Sequence, residues 1–233
     1  MQKLGIILAI LLIKNNMNKI KYVPILKWRA AEITALENVK AEDRAKLMPV
    51  IELVMPSVGL YKKDLITKQQ VRKSDSDMYD EIIHKFETRR TQEIPSEIEK
   101  VWGKSFVYLD FTLLYGKDTN LLKVAGIKKI IPECARKGLS VTPIINLSDN
   151  KSIFDEVFNQ LSQKNITDVC IRIISSDLSD INTLNKNLKA LISERKIPEE
   201  QIHILVDLKY LGENMAPSYD VLFRSAQAII SIN

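Results

Sequence analysis

The sequence predicts an α/β fold, a parallel TIM-barrel-like array of strand-then-helix units that stops short of closure. Three observations carry that expectation. Six short runs rich in Val and Ile recur along the 233 residues, and each is followed by a longer segment with helical spacing. The mixture of 45% hydrophobic and 27% charged residues suits a chain that buries one sizeable core, and the length is near that of a single (β/α) barrel.

The expected strands are Tyr22 to Lys27, Met48 to Leu53, Phe106 to Phe111, Val141 to Leu147, Val169 to Ile174 and His203 to Leu208. Parallel strands need crossover helices between them. Ile82, Ile83 and Phe86 form one apolar stripe, and Val124, Ile127, Ile131 and Cys134 a second. Ile153, Val157 and Leu161 form a third, and Leu184, Leu188 and Leu191 a fourth. A sixth helix is expected around Leu222, Ala226 and Ile229. Asp149-Asn150 can cap the third striped helix, Gly138 can end the one before it, and Arg195-Lys196 ahead of Pro198 can close the fourth. Pro132 is expected to kink or split its helix.

A closed barrel of this type has eight units, so the chain is expected to lack about two of them. An open doubly wound sheet is the structural alternative, although no Gly-x-Gly-x-x-Gly turn follows any strand and glycines number only 7.

The first sixteen residues read as a separate extension. Leu4 to Ile13 is an unbroken apolar run between Lys3 and Lys14, too short to span a bilayer and followed by no small-x-small cleavage site. Met17, directly before the first strand, is the expected true start of a single domain running to Asn233, truncated at its C-terminal end. Cys134 and Cys170 lie in apolar runs with no Cys or His at metal-ligand spacing, which argues against a disulfide scaffold or a zinc site and fits a reducing, cytoplasmic compartment. The net charge of +5 is spread among both signs, so there is no strong nucleic-acid signature. A membrane association is not expected.

Candidate functional residues come from counting alternate positions along each strand. Lys27, Glu52, Asp110, Asn146, Arg172 and Asp207 each finish the same face as Val23 and Ile25, Val50, Tyr108, Ile144, Cys170 and Leu205. In a parallel barrel these residues point inward at the carboxyl rim, where such proteins build their sites. Lys27, Arg29, Arg172 and Lys209 supply positive charge for an anionic or phosphate-bearing small molecule, with Asn146 as a polar contact. Glu52, Asp110 and Asp207 supply carboxylates that would hold a divalent metal such as Mg2+ or act as acid and base beside Lys27 and Arg172. The competing reading is that these groups satisfy one another in the barrel mouth. Neither His84, on a helix, nor His203, at the wrong end of its strand, is placed as a general base for this pocket, and no Ser-His-Asp or Cys-His arrangement is visible. Trp28 and Tyr108 are read as packing residues.

One irregular stretch remains, the polar connection from Pro56 to Asp77 with Lys62, Lys63, Lys68, Arg72 and Lys73. It is either a solvated insertion or the contact surface of a non-catalytic protein that binds a protein partner.

The opening YVPILKWRAAEITALENV, followed by RAKLMPVIELV, resembles the N-terminal signature of the phage beta protein family. Pro24, Lys27, Arg29, Glu32, Ala35, Leu36, Pro49 and Glu52 carry the match, with Ala31 where the family commonly has glycine. The strands of Asp110, Pro143, Arg172 and Asp207 follow in the family's order. This resemblance implies a phage or defence-associated setting. It implies no particular reaction, and the residues name none.

Overall fold

Each of the six Val- and Ile-rich runs hydrogen-bonds in parallel to the next along the chain. The computed structural model describes residues 7–12, 22–64, 66, 68–115 and 119–210, and for 7–12, 181, 199 and 208–210 the backbone alone. Its strands are β1 (Ile7–Leu12), β2 (Ile25–Lys27), β3 (Val50–Glu52), β4 (Tyr61–Lys63), β5 (Gln70–Arg72), β6 (Val107–Asp110), β7 (Val141–Asn146), β8 (Val169–Ile174) and β9 (Ile202–Tyr210). The main sheet has the order β1-β9-β8-β7-β6-β3-β2. Six of these strands therefore lie side by side in chain order and run the same way. A doubly wound sheet would reverse its direction of growth at a switch point. This one does not, and its parallel strands curl into a half-barrel.

The helices are α1 (Ala30–Glu37), α2 (Ala41–Arg44), α3 (Asp75–Lys85), α4 (Thr91–Trp102), α5 (Thr119–Arg136), α6 (Lys151–Ser162) and α7 (Ile181–Arg195), with a π-helical turn, Phe86–Arg90, joining α3 to α4. The expected boundaries hold where local chemistry sets them. The Asn150 side chain accepts the Ile153 amide at the start of α6. Gly138, at φ 69°, turns the chain out of α5, while its amide and that of Leu139 bond the Ala135 and Cys134 carbonyls. Lys196 makes the same left-handed turn after α7 at φ 51°. Pro132 neither splits nor ends α5, which runs through it as one helix. The stretch read as an irregular connection contains a two-stranded ribbon, β4 with β5, outside the main sheet. The helix expected around Leu222, Ala226 and Ile229 lies outside the described residues, as does Met17.

Ile7–Leu12, from the apolar run read as an extension, adds to the sheet as an antiparallel strand on β9, with Ile10 opposite Val206 and Leu11 opposite Leu205. Among the described residues no helix is long and apolar enough to cross a membrane.

The alternation of side chains across the sheet produces two cores. The convex one lies between sheet and helices and holds Ile51, Leu53, Leu109, Phe111, Ile145, Ile171 and Val206 against Trp28, Trp102, Ile127, Ile130 and Val157. Gly126 of α5 packs closely there, and a Cβ at that position would lie 3.1 Å from the Phe111 ring. The concave core holds Val23, Val50, Tyr108, Ile144, Cys170 and Leu205, the positions that period-two counting assigns to one face.

Candidate functional site

At the carboxyl ends of the strands the concave face changes from apolar to charged. Lys27, Glu52 and Asp110 are in direct register on β2, β3 and β6. Asp110 lies level with Ile144, and Ile144 with Cys170, so Arg172 stands one inward step further along β8. The long arginine arm makes up that offset. Arg172 Nη1 donates to Glu52 Oε1 at 3.0 Å and to Asp110 Oδ2, while Nε and Nη2 donate to Asp207 Oδ2 at 3.0 and 2.5 Å. All four residues are buried. Asp110 is also fixed by the Thr112 amide, which donates to its Oδ1 at 2.7 Å.

Burial alone would discourage the positive charge on Arg172, but Asp110, Asp207 and Glu52 outweigh it and hold the guanidinium above its ordinary pKa. A planar fork with five donors is the side chain that can meet three carboxylates at once. The same geometry gives the three carboxylates expected to hold a metal a partner within the protein. Glu52, Asp110 and Asp207 converge on the guanidinium. Among the described residues no group of three His, Cys, Asp or Glu is placed to hold a metal.

The other residues expected at the site separate. Lys27 is exposed beside Glu52 and its ammonium bonds to no described residue. Asn146 donates from Nδ2 to Thr112 Oγ1 at 2.8 Å, and its amide donates to Asp149 Oδ2 at 2.8 Å. Lys123 of α5 closes this second cluster through Asp149 Oδ1 at 2.7 Å. The side chain of Lys209 lies outside the described residues. At the opposite, amino end of the concave core, the Tyr108 hydroxyl and His203 Nδ1 are 2.9 Å apart, packed against Phe106. Burial holds His203 below its ordinary pKa against the smaller opposing effect of Asp168.

Arg29 lies elsewhere on the carboxyl rim, in a groove of about 540 Å³ on the convex side of β2 and β3. Its walls are Trp28-Arg29-Ala30 after β2, Val54 to Ser57 after β3, and Lys85, Arg89, Arg90 and Glu93 from the α3–α4 junction. Four cations thus face one carboxylate. Glu93 accepts from Arg89 at 2.6 Å and Arg90 at 2.7 Å, and these bonds hold its pKa low. Arg90 also forks onto Glu97, at 2.6 and 3.0 Å, and Glu97 accepts the Trp28 indole N–H at 2.8 Å. Burial works against ionisation of Glu97, yet Arg90 and Trp28 overcome it and its pKa is lowered. Lys85 donates to the neutral Ser57 carbonyl at 2.8 Å, and the Arg29 guanidinium bonds to no described residue. Positive charge is left over.

Lys85, Arg89 and Arg90 were not expected at a site. The sequence carries no clear signal for their arrangement, since Phe86 and Ile94 keep an ordinary helical spacing. In the structure, however, the buried positions step from Phe86 to Thr91, five residues apart, where an α-helical stripe would step three or four. The π-helical turn absorbs the additional residue, and such single turns are frequent at functional sites. The family model described as Beta protein matches residues 22–232. No curated protein and no solved structure matches the chain.

Proposed function

The chain belongs to the Beta protein family, and from that premise we propose that it binds a small phosphate- or carboxylate-bearing molecule at the carboxyl rim of the half-barrel, in the groove beside Trp28. The observation that carries this reading is the charge imbalance there, with Arg29, Lys85, Arg89 and Arg90 around one carboxylate in a cleft of about 540 Å³. That volume is within the usual range for small-molecule sites.

Arg29 and Lys85, neither of them paired with a carboxylate, make the anion contacts, and Arg89 adds to them when it turns from Glu93. Arg90 stays fixed by Glu93 and Glu97 and sets the floor. The buried group of Arg172, Glu52, Asp110 and Asp207 supports the strand ends beneath, with every guanidinium nitrogen of Arg172 already bonded to a carboxylate. Lys27 ends β2 directly before the groove wall and contributes charge from the concave side. The phage or defence-associated setting implied by the family is part of this reading, with the ligand a signal or substrate met there.

Thermal unfolding with and without pyrophosphate tests it. The intact protein is expected to gain stability as pyrophosphate is added, and the Arg29→Ala/Lys85→Ala variant to lose that gain while keeping its own folded circular dichroism. A gain that survives in this variant but disappears in Lys27→Ala would move the site to the concave mouth and refute the groove.

A further inference from the structure

The β4–β5 ribbon belongs to neither core. It pairs Tyr61 with Arg72, Lys62 with Val71 and Lys63 with Gln70, and within the described residues no third strand joins it. Residues opposite one another share a face, so Tyr61, Lys63, Gln70 and Arg72 form one side and Lys62 and Val71 the other.

The second side is tied to α3. Lys62 bonds Asp77 at 2.7 Å, and Lys73, whose amide bonds the Leu60 carbonyl, pairs with Glu81. Asp77 itself is locked in the capping box of Ser74, and these bonds take its pKa down to about 2. The cations on this side are therefore neutralised. Those on the outward side are not, because the Lys63 and Arg72 side chains are exposed and bond to no described residue.

Apolar exposure concentrates in the same place. Leu60 is 54% exposed, Tyr61 58%, Ile66 90% and Val71 44%, which makes this short segment the source of four of the seven exposed large hydrophobic residues described. A polyanion such as nucleic acid would use the cations and gain little from Leu60, Ile66 and Val71. An extended peptide would use both, because a strand added to a free ribbon edge points alternate side chains to opposite faces.

We infer that the ribbon is a docking edge for an extended segment of a partner protein in which acidic and apolar residues alternate. The acidic residues face Lys63 and Arg72, the apolar ones face Leu60 and Val71, and the partner backbone takes the open hydrogen-bonding edge. A two-stranded ribbon is of marginal stability by itself, and a third strand supplies what it lacks.

Fluorescence anisotropy with a labelled peptide alternating valine and glutamate tests this on the full chain. Binding is expected to fall by about tenfold or more in the Lys63→Glu/Arg72→Glu variant, since like charges then face each other across the edge. A peptide alternating valine and lysine is expected to bind that variant in its place. No binding of the valine–glutamate peptide to the intact protein would overturn the inference. So would equal affinity for oligoglutamate or for a single-stranded oligonucleotide, which would make the ribbon a plain polyanion surface.

Discussion

The buried charges of the half-barrel mouth and the half-exposed charges of the neighbouring groove are built from similar residues with opposite results. In the mouth one arginine is surrounded by three carboxylates, and all four side chains are buried. In the groove four cations share one lining carboxylate in the presence of solvent. Desolvation explains the difference. A buried charge must be matched by neighbours fixed in place, so its donors are consumed internally. A cation at the surface keeps part of its hydration and can exchange it for a ligand. Residue type at a strand end therefore says less about binding than whether the fold leaves the group a vacant donor.

The largest effect is expected from removing Arg172. Arg172→Met leaves three buried carboxylates around an apolar side chain and is expected to destabilise the protein by about 3–5 kcal/mol, measured by urea unfolding. A loss under about 1 kcal/mol would mean that water reaches the mouth and that its charges are solvated like those of the groove.

Glu97 tests the boundary between the two regions. Replacing it by alanine strands the Trp28 indole N–H and half of the Arg90 fork, at an expected cost of about 1–3 kcal/mol. Arg89→Ala, on the open side of the same groove, should stay within about 0.5 kcal/mol of the parent. Salt should separate the regions too. Pyrophosphate affinity is expected to fall steeply between about 50 and 500 mM NaCl, while the unfolding contribution of Arg172, taken as the difference from Arg172→Met, changes little.

The smallest effect concerns His203, a buried group at the far end of the concave core. Its pKa is depressed in the folded state, so the unfolded chain binds the proton more readily. The stability it contributes is complete above the ordinary value of 6.5 and is lost as pH falls below it. Comparing urea midpoints at about pH 7.5 and 5.5, the parent should lose more stability than His203→Gln, and an equal loss would show that His203 is solvated. The thiols complete the picture of a dry interior. Burial pushes Cys134 up to about 12 and Cys170 higher still, so neither is expected to react with a thiol reagent until the chain unfolds.

Sequence reading succeeded where one local rule decides the outcome. Side chains alternate with a period of two along any strand, so counting from Val23 to Asp207 assigned the concave face correctly from β2 to β9. The helix stripes of α5, α6 and α7 follow from the same kind of periodicity. Ile94, Ile98, Val101 and Trp102 carry that spacing in α4 as well, and local rules fell short at α1, which has hardly a stripe of its own. They also did not reveal β1, because an apolar run declares itself a strand only when β9 offers an edge for it.

The parallel order of the strands, the two faces of the sheet and the polar ending of every inner face were already set by the sequence, since all of these follow from periodicity and the handedness of crossovers. Only the tertiary structure decided which of those charges are spent. The curl of the sheet brings Glu52, Asp110 and Asp207 within reach of a single arginine, and three segments distant in the chain, around Arg29, Ser57 and Arg89, meet to form the groove. Curvature and long-range packing are properties of the whole sheet, and no window of residues contains them.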